Sequence, residues 1–254
     1  MSELSAYSTN PAVERTLNLA LLGYGKMGRT IAQIAPQRGF QVRLVMDIDA
    51  NPHAQGITRE KFEGMDVCLD FTAPDAVVEN ARRVAEAGCN LVIGTTGWTD
   101  RLKEVRQIVE KNGIGLVHAA NFSIGVNLFY RAAQAAAEIF AGFPMYEPYI
   151  TEAHHHTKKD APSGTAKELK RQVESLLSGR EIPVASIRAG YIPGAHELGF
   201  DSEADTVLLR HTARGRQGFA EGALLAARWV VGKKGLFAFT EVLDDERLSM
   251  KVKE

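Results

Sequence analysis

The sequence predicts an α/β fold: an N-terminal Rossmann-like, doubly wound parallel sheet followed by a C-terminal α+β domain. Two observations predict it. Over residues 16–120, short apolar runs alternate with helical stretches, the pattern of βαβ units on a parallel sheet. Beyond residue 121 that alternation stops, and strand patterns follow one another without helices between them, as in an antiparallel or mixed sheet.

Taken in order, residues 1–15 are polar and read as a flexible tail. Residues 17–22 (LNLALL) form an apolar run that stops at glycine, a buried strand. A helix over 26–35 ends at Pro36, and 41–46 is the next strand. Residues 49–64 lack a period and read as irregular. A strand at 67–71 precedes a helix at 74–87, which has proline in its first turn and Gly88 after its end. A strand at 91–93, a helix at 100–111 and a strand at 114–118 complete the dinucleotide-binding domain, 16–120, to which 232–254 is expected to return. The second domain, 121–231, opens with an alanine-rich helix at 124–140. It continues with a strand at 149–152, a helix at 165–177, strands at 184–191, 196–201 and 206–212, and a helix at 219–231.

Bulk properties narrow the function. The 254 residues carry a formal net charge of -1, so there is no global positive field to gather nucleic acid. No run of 18 apolar residues suggests a membrane span, and the polar start lacks the apolar core of a signal peptide, so a cytoplasmic protein is expected. Cys68 and Cys89 form neither a disulfide framework nor a C-x-x-C pair, and read as small buried hydrophobes.

Gly23-Tyr24-Gly25-Lys26-Met27-Gly28 fits G-x-G-x-x-G between the first strand and the first helix. In that setting the first glycine allows a tight turn, the second lets backbone approach a pyrophosphate, and the third lets helix and strand pack closely. A ligand-free glycine turn is the plainer alternative. Asp47, 19 residues after Gly28, ends the second strand, where a carboxylate accepts from ribose hydroxyls and repels a 2′-phosphate. The cofactor is therefore NADH or NADPH, with a lean to NADH, although Lys26 and Arg29 lie near enough to meet a phosphate.

Residues 152–166, EAHHHTKKDAPSGTA, hold the most unusual chemistry. A metal site on alternate histidines of a strand, His154 and His156, is one reading, but no cysteine or H-E-x-x-H pattern accompanies them. An exposed polar loop is another. The stronger reading is an acid–base and anion site. Histidine is poised to donate a proton near neutral pH, lysine attracts carboxylate, and Ser163-Gly164-Thr165 opens a helix whose N–H groups cradle an anion. Thr165 and Glu168 also fit a capping box, which would explain Thr165 structurally. Together these groups suit a small dianion, and no metal is assigned.

At these residues the chain resembles the dihydrodipicolinate, or 4-hydroxy-tetrahydrodipicolinate, reductases. Their signature E-x-H-H-x-x-K-x-D-A-P-S-G-T-A matches throughout 152–166. The glycine loop, DFT at 70–72, VIGTTG at 92–97, AANFSIG at 119–125, FAEGA at 219–223 and GLF at 235–237 match in order. The resemblance implies NAD(P)H-dependent reduction of 4-hydroxy-tetrahydrodipicolinate, by way of dihydrodipicolinate, to tetrahydrodipicolinate in diaminopimelate and lysine biosynthesis. It implies a homotetramer built through the C-terminal sheet. His154 becomes the proton donor and Lys158 its catalytic partner, with His155, Ser163, Gly164 and Thr165 on the substrate. Besides the glycine loop and Asp47, the cofactor would meet Phe71, Thr72, Gly94, Thr95 and Thr96. Ala119, Ala120, Asn121 and Phe122 would complete its site, with 121–125 near a hinge. The chain departs from many members in a glycine loop one residue shorter, in a brief 49–64 segment, and in having Ile48 rather than arginine after Asp47. Another amino-acid dehydrogenase of this architecture, or a non-catalytic NAD(P)-binding redox sensor, are the alternatives.

Overall fold

The computed structural model describes residues 15–245. The expected tail at 1–15 lies almost wholly outside them. The chain divides into two compact units, one taking residues up to Ala120 and Ala223–Val242, the other Asn121–Gly222 and the segment from Leu243.

The first unit is a six-stranded sheet built from β1 (Leu17–Leu22), β2 (Phe40–Met46), β3 (Val67–Asp70), β4 (Asn90–Ile93), β5 (Gly115–His118) and β10 (Gly235–Ala238). Its order is β10-β5-β4-β3-β1-β2, with every pairing parallel. The chain turns one way from β1 to β2 and the other way to β3, so the crevice between β1 and β3 is the switch point where such sheets bind ligands. β3 is buried along its whole length, whereas the edge strand β2 alternates, which its mixed sequence FQVRLVM dictates. Helices α1 (Lys26–Ile34), α2 (Val77–Glu86) and α3 (Leu102–Asn112) are the crossovers. α1 stops one residue short of the expected end and tightens into a 3₁₀ turn at Ala35–Arg38, because Pro36 cannot continue an α-helix. The segment at 49–64, irregular as expected, is not loose: Ile57 and Phe62 are buried in the core of this unit.

The second unit packs α4 (Ile124–Phe140) and α5 (Gly164–Glu174) on one face of a mixed sheet. Its strands β6 (Glu147–His154), β7 (Val184–Arg188), β8 (Ala195–Asp201) and β9 (Thr206–Thr212) run in the order β7-β6-β8-β9. β6 pairs parallel with β7, and the other pairings are antiparallel. Side chains alternate along β6, so Pro148, Ile150, Glu152 and His154 point to the buried face. β6 is twice as long as the four residues expected, which carries the strand through Glu152 to His154. Helix α6 (Gln217–Val230) contributes residues to both units, and α7 (Phe239–Leu243) follows β10.

Candidate active site

In the first unit, strand register aligns the carboxyl ends. Leu22 pairs with Met46 and Asp70, Asp70 with Ile93, Ile93 with His118, and His118 with Ala238. The residues that follow these ends, Gly23, Asp47, Phe71, Gly94 and Ala119, therefore share one edge of the sheet. That is the edge on which the sequence places the cofactor.

The glycine loop is shaped by close approach. Gly23 has φ +85°, and a Cβ there would collide with the Phe71 carbonyl oxygen. A Cβ on Gly28 would collide with the Gly23 carbonyl oxygen, so α1 can rest on the strand end only with glycine at that position. At Gly25 a Cβ would meet nothing within 4 Å, and no side chain caps α1, which leaves its first turn open to an anion. The Tyr24 N–H donates to Asp47 Oδ1 at 3.3 Å, joining the loop to the tip of β2. Arg29 donates to the Tyr24 carbonyl at 3.1 Å and lies over its ring, while Lys26 is exposed.

Asp70, which the sequence showed only as part of DFT, organises two of the remaining loops. Its side chain is fully buried. Oδ1 accepts from the Thr72 N–H at 3.0 Å, the Thr72 hydroxyl at 2.6 Å and the Thr95 hydroxyl at 3.1 Å. Oδ2 accepts from Asn80 Nδ2 at 2.9 Å. Burial pushes the carboxyl up, and these donors pull against it. Nothing local in the sequence points to this clamp beyond an Asp that closes an apolar strand with Thr two residues on.

Asn121 and Phe122 belong to the second unit. Asn121 Oδ1 accepts from the Ser123 N–H at 2.8 Å just ahead of α4, Phe122 is buried, and the Ser123 hydroxyl caps α4. Ala119 and Ala120 belong to the first unit.

The histidine segment closes around a buried carboxylate. His154 Nδ1 hydrogen-bonds Glu152 Oε2. Glu152 Oε1 accepts from Arg188 at 2.7 Å and from the Ser163 N–H at 3.3 Å. Register explains the meeting: Arg188 pairs with His154 across β7, and His196 pairs with Glu152 across β8. The His154 and His196 rings stand edge to face, 5.1 Å apart, and His196 Nε2 lies 3.1 Å from the Ser163 hydroxyl. Burial works against the Glu152 carboxylate, but Arg188, Ser186 and His154 outweigh it and hold it at about 2. Burial lowers His154, and the Glu152 hydrogen bond and charge pull it back up. Burial also brings His196 down to about 4, with the His154 charge adding to the effect.

Glu152, His154 and His196 bring ligand-type atoms within 4.8 Å of one another. The Arg188 guanidinium already occupies one Glu152 oxygen, and a full positive charge there opposes a second cation. His156 is not on the strand, since β6 ends at His154. It is exposed and bonds the Gly190 carbonyl at 2.9 Å, so the alternate-face pairing of His154 with His156 does not arise.

Lys158 Nζ donates to Asp160 Oδ1 at 2.7 Å, and Asp160 also accepts from the Gly164 backbone. A carboxylate thus bridges the lysine and the start of α5. His155 Nδ1 lies 2.7 Å from the Thr157 hydroxyl. The capping-box reading of Thr165 and Glu168 is corrected. The N-cap is Ser163, whose hydroxyl accepts from the Ala166 N–H at 3.2 Å, so Thr165 stands inside the first turn and Glu168 pairs with Arg171 and Gln172. The Ser163 hydroxyl is shared between this cap and His196, and its N–H goes to Glu152. Arg188, His196 and Glu152 are members of this cluster that the motif reading left without a role, because two of them sit on strands distant in sequence.

Cys68 and Cys89 are buried, and burial pushes both thiols far up, so neither is a nucleophile. Among the described residues no helix is long and apolar enough to cross a membrane.

Comparison with known proteins shows the family. The family model for the N-terminus of dihydrodipicolinate reductase matches residues 17–122, and that for the C-terminus matches 125–243. The chain is 38% identical over 240 residues to the 4-hydroxy-tetrahydrodipicolinate reductase of Christiangramia forsetii, covering 90% of this chain and 98% of that protein. It is 35% identical over 248 residues to that of Methanoregula boonei, covering 88% and 96%. A dipicolinate-bound dihydrodipicolinate reductase from a Paenisporosarcina species superposes with a TM-score of 0.74 at 25% identity, covering 89% of this chain and 99% of that one. The chain belongs to the dihydrodipicolinate reductase family.

Proposed function

We propose that this chain reduces 4-hydroxy-tetrahydrodipicolinate, by way of dihydrodipicolinate, to tetrahydrodipicolinate in the diaminopimelate and lysine route, with NADH or NADPH as cofactor. The observation that carries the reading is the cluster of His154, Lys158 and the start of α5 within one unit, a histidine grouped with a lysine and a helix N-terminus. Bound NADH or NADPH supplies a hydride to the substrate ring. His154 gives the proton that completes addition across the ring double bond. Lys158 takes one carboxylate and the start of α5 takes the other, through the Gly164 and Thr165 N–H groups and the Ser163 and Thr165 hydroxyls, displacing Asp160 from its bridging place, and His155 lies against the ring. Bringing two negative charges into the site is costly unless each finds a partner, which is why a charge and a helix N-terminus stand together.

The glycine loop holds the pyrophosphate. Asp47 accepts from the adenosine ribose and favours NADH over NADPH. Phe71, Thr72, Gly94, Thr95, Thr96, Ala119, Ala120, Asn121 and Phe122 receive the nicotinamide half. The open face of the second sheet carries exposed Ile187 and Leu208, which suits burial against another copy in a homotetramer. The enzyme works in the cytoplasm.

Nicotinamide oxidation followed with freshly generated cyclic substrate tests the reaction. Steady turnover with competitive inhibition by dipicolinate is expected. Absence of turnover with both cofactors would overturn the assignment.

A further inference from the structure

Glu152 is not among the groups that touch substrate in the proposed reaction, yet it is the most heavily partnered side chain of the cluster. It is 1% exposed and accepts from His154, Arg188 and the Ser163 N–H. We propose that Glu152 is a positioning residue for proton transfer: clamped by Arg188, it holds the His154 imidazole with Nδ1–H toward the carboxylate and Nε2 toward the substrate. The inference rests on the reading of His154 as the proton donor.

Three features support it. A carboxylate is acceptor-only, so the His154 nitrogen that faces it must carry the hydrogen. Neutral His154 is therefore the Nδ1–H tautomer, and the proton that comes and goes sits on Nε2. The space before Nε2 is kept clear by Gly194, where a Cβ would stand 3.1 Å from that nitrogen. Gly194 also has φ +148°, a conformation that favours glycine. Finally, the second Glu152 oxygen is held by Arg188, whose guanidinium also donates to the Asp160 carbonyl at 2.5 Å, so the carboxylate cannot rotate away from the imidazole.

The charges around His154 set the direction of tuning. Glu152 on its own strand favours the protonated form. Lys158 and Arg188 on β7 oppose it, while Asp160 faces Lys158 and shields part of that charge; His196 on β8, with His211 behind it on β9, is itself held down to about 4 and stays neutral beside the ring. Burial, with Lys158 and Arg188, leaves His154 below its ordinary range even beside Glu152, and without that carboxylate it would fall further. A dianionic substrate adds negative charge beside the ring and completes its protonation on binding. Proton balance is simple: the Nε2–H bond breaks, a C–H bond forms on the ring, and Nε2 is reprotonated from solvent after product leaves.

Two measurements test the proposal. In the wild type, nitrogen-15 histidine spectra above the titration of His154 should show Nδ1 protonated and Nε2 bare. A neutral His154 protonated on Nε2 would overturn the proposal, without any variant being made. The second is the pH profile of kcat/KM, whose alkaline limb follows loss of the Nε2 proton. Glu152→Gln should move that limb about one pH unit toward acid, a roughly tenfold loss above neutrality with little loss below it. Arg188→Met should move it toward alkali. A merely structural role predicts equal loss at every pH in both variants, and that result would overturn the proposal. NADH binding and circular dichroism report whether each variant is folded. If wild type does not reduce the cyclic substrate, the reaction assignment fails, and the tautomer and its titration still decide whether Glu152 sets the state of His154.

Discussion

Replacing Asp70 with asparagine tests how the cofactor end of the first sheet is held. The new side chain would keep one oxygen, enough for the three bonds now made at Oδ1 by Thr72 and Thr95. Its amide nitrogen would then face Asn80 Nδ2, donor against donor, where Oδ2 now accepts at 2.9 Å. Asn80 can relieve this by flipping, but its Oδ1 accepts from Asn51 Nδ2 at 3.3 Å and that bond would be lost. Either way a buried donor goes without a partner, at a cost of about 1–3 kcal/mol. Because burial already raises the Asp70 carboxyl, removing its charge returns part of this, and a net loss of about 1–2 kcal/mol remains. For a chain of this size that is a fall in Tm of roughly 2–8 °C. The loops at Thr72 and Thr95 loosen with it, so the Kd for NADH should rise about threefold to tenfold, on the order of 1 kcal/mol. Calorimetry and a fluorescence titration with NADH give both numbers. An Asp70→Asn protein with unchanged Tm and unchanged Kd would show that the four bonds are incidental.

Asp47→Ala should shift the ratio of kcat/KM for NADPH over NADH upward by about tenfold, roughly 1.4 kcal/mol, and an unchanged ratio would remove Asp47 from the ribose site. Ser163→Ala should cost about 1 kcal/mol of stability as a lost N-cap, whereas Thr165→Val should leave the melt within about 0.5 kcal/mol and raise KM; paired melts and kinetics separate them. His196 is held at about 4 against an ordinary 6.5, so the unfolded chain takes up that proton first as pH falls. Its contribution to stability is present above about 6.5 and lost progressively down to about 4. Urea midpoints for wild type should therefore decline through that window, and His196→Asn should flatten the decline.

Local pattern alone determined a good deal. LNLALL ending at a glycine loop specifies a buried strand and a turn that only glycines permit, because a Cβ at Gly23 or Gly28 collides with neighbouring backbone. The helix at Ile124–Phe140 was legible to the residue, since Ser123 caps it and its alanine-rich run has no breaker. The segment at 152–166 announced its chemistry by residue type. What it did not announce is who would face whom. Arg188 and His196 lie 36 and 44 residues from Glu152, and only the parallel pairing of β7 and the antiparallel pairing of β8 bring them to it. The choice of Ser163 over Thr165 as the cap was likewise tertiary. Ser163 is the residue whose N–H and hydroxyl are both claimed, by Glu152 on one side and the Ala166 N–H on the other, and this fixes where α5 begins. Asp70 has the same lesson in the first unit. Its sequence context says only that a strand ends there, while burial decides that its charge must be met by four donors from three separate segments of chain.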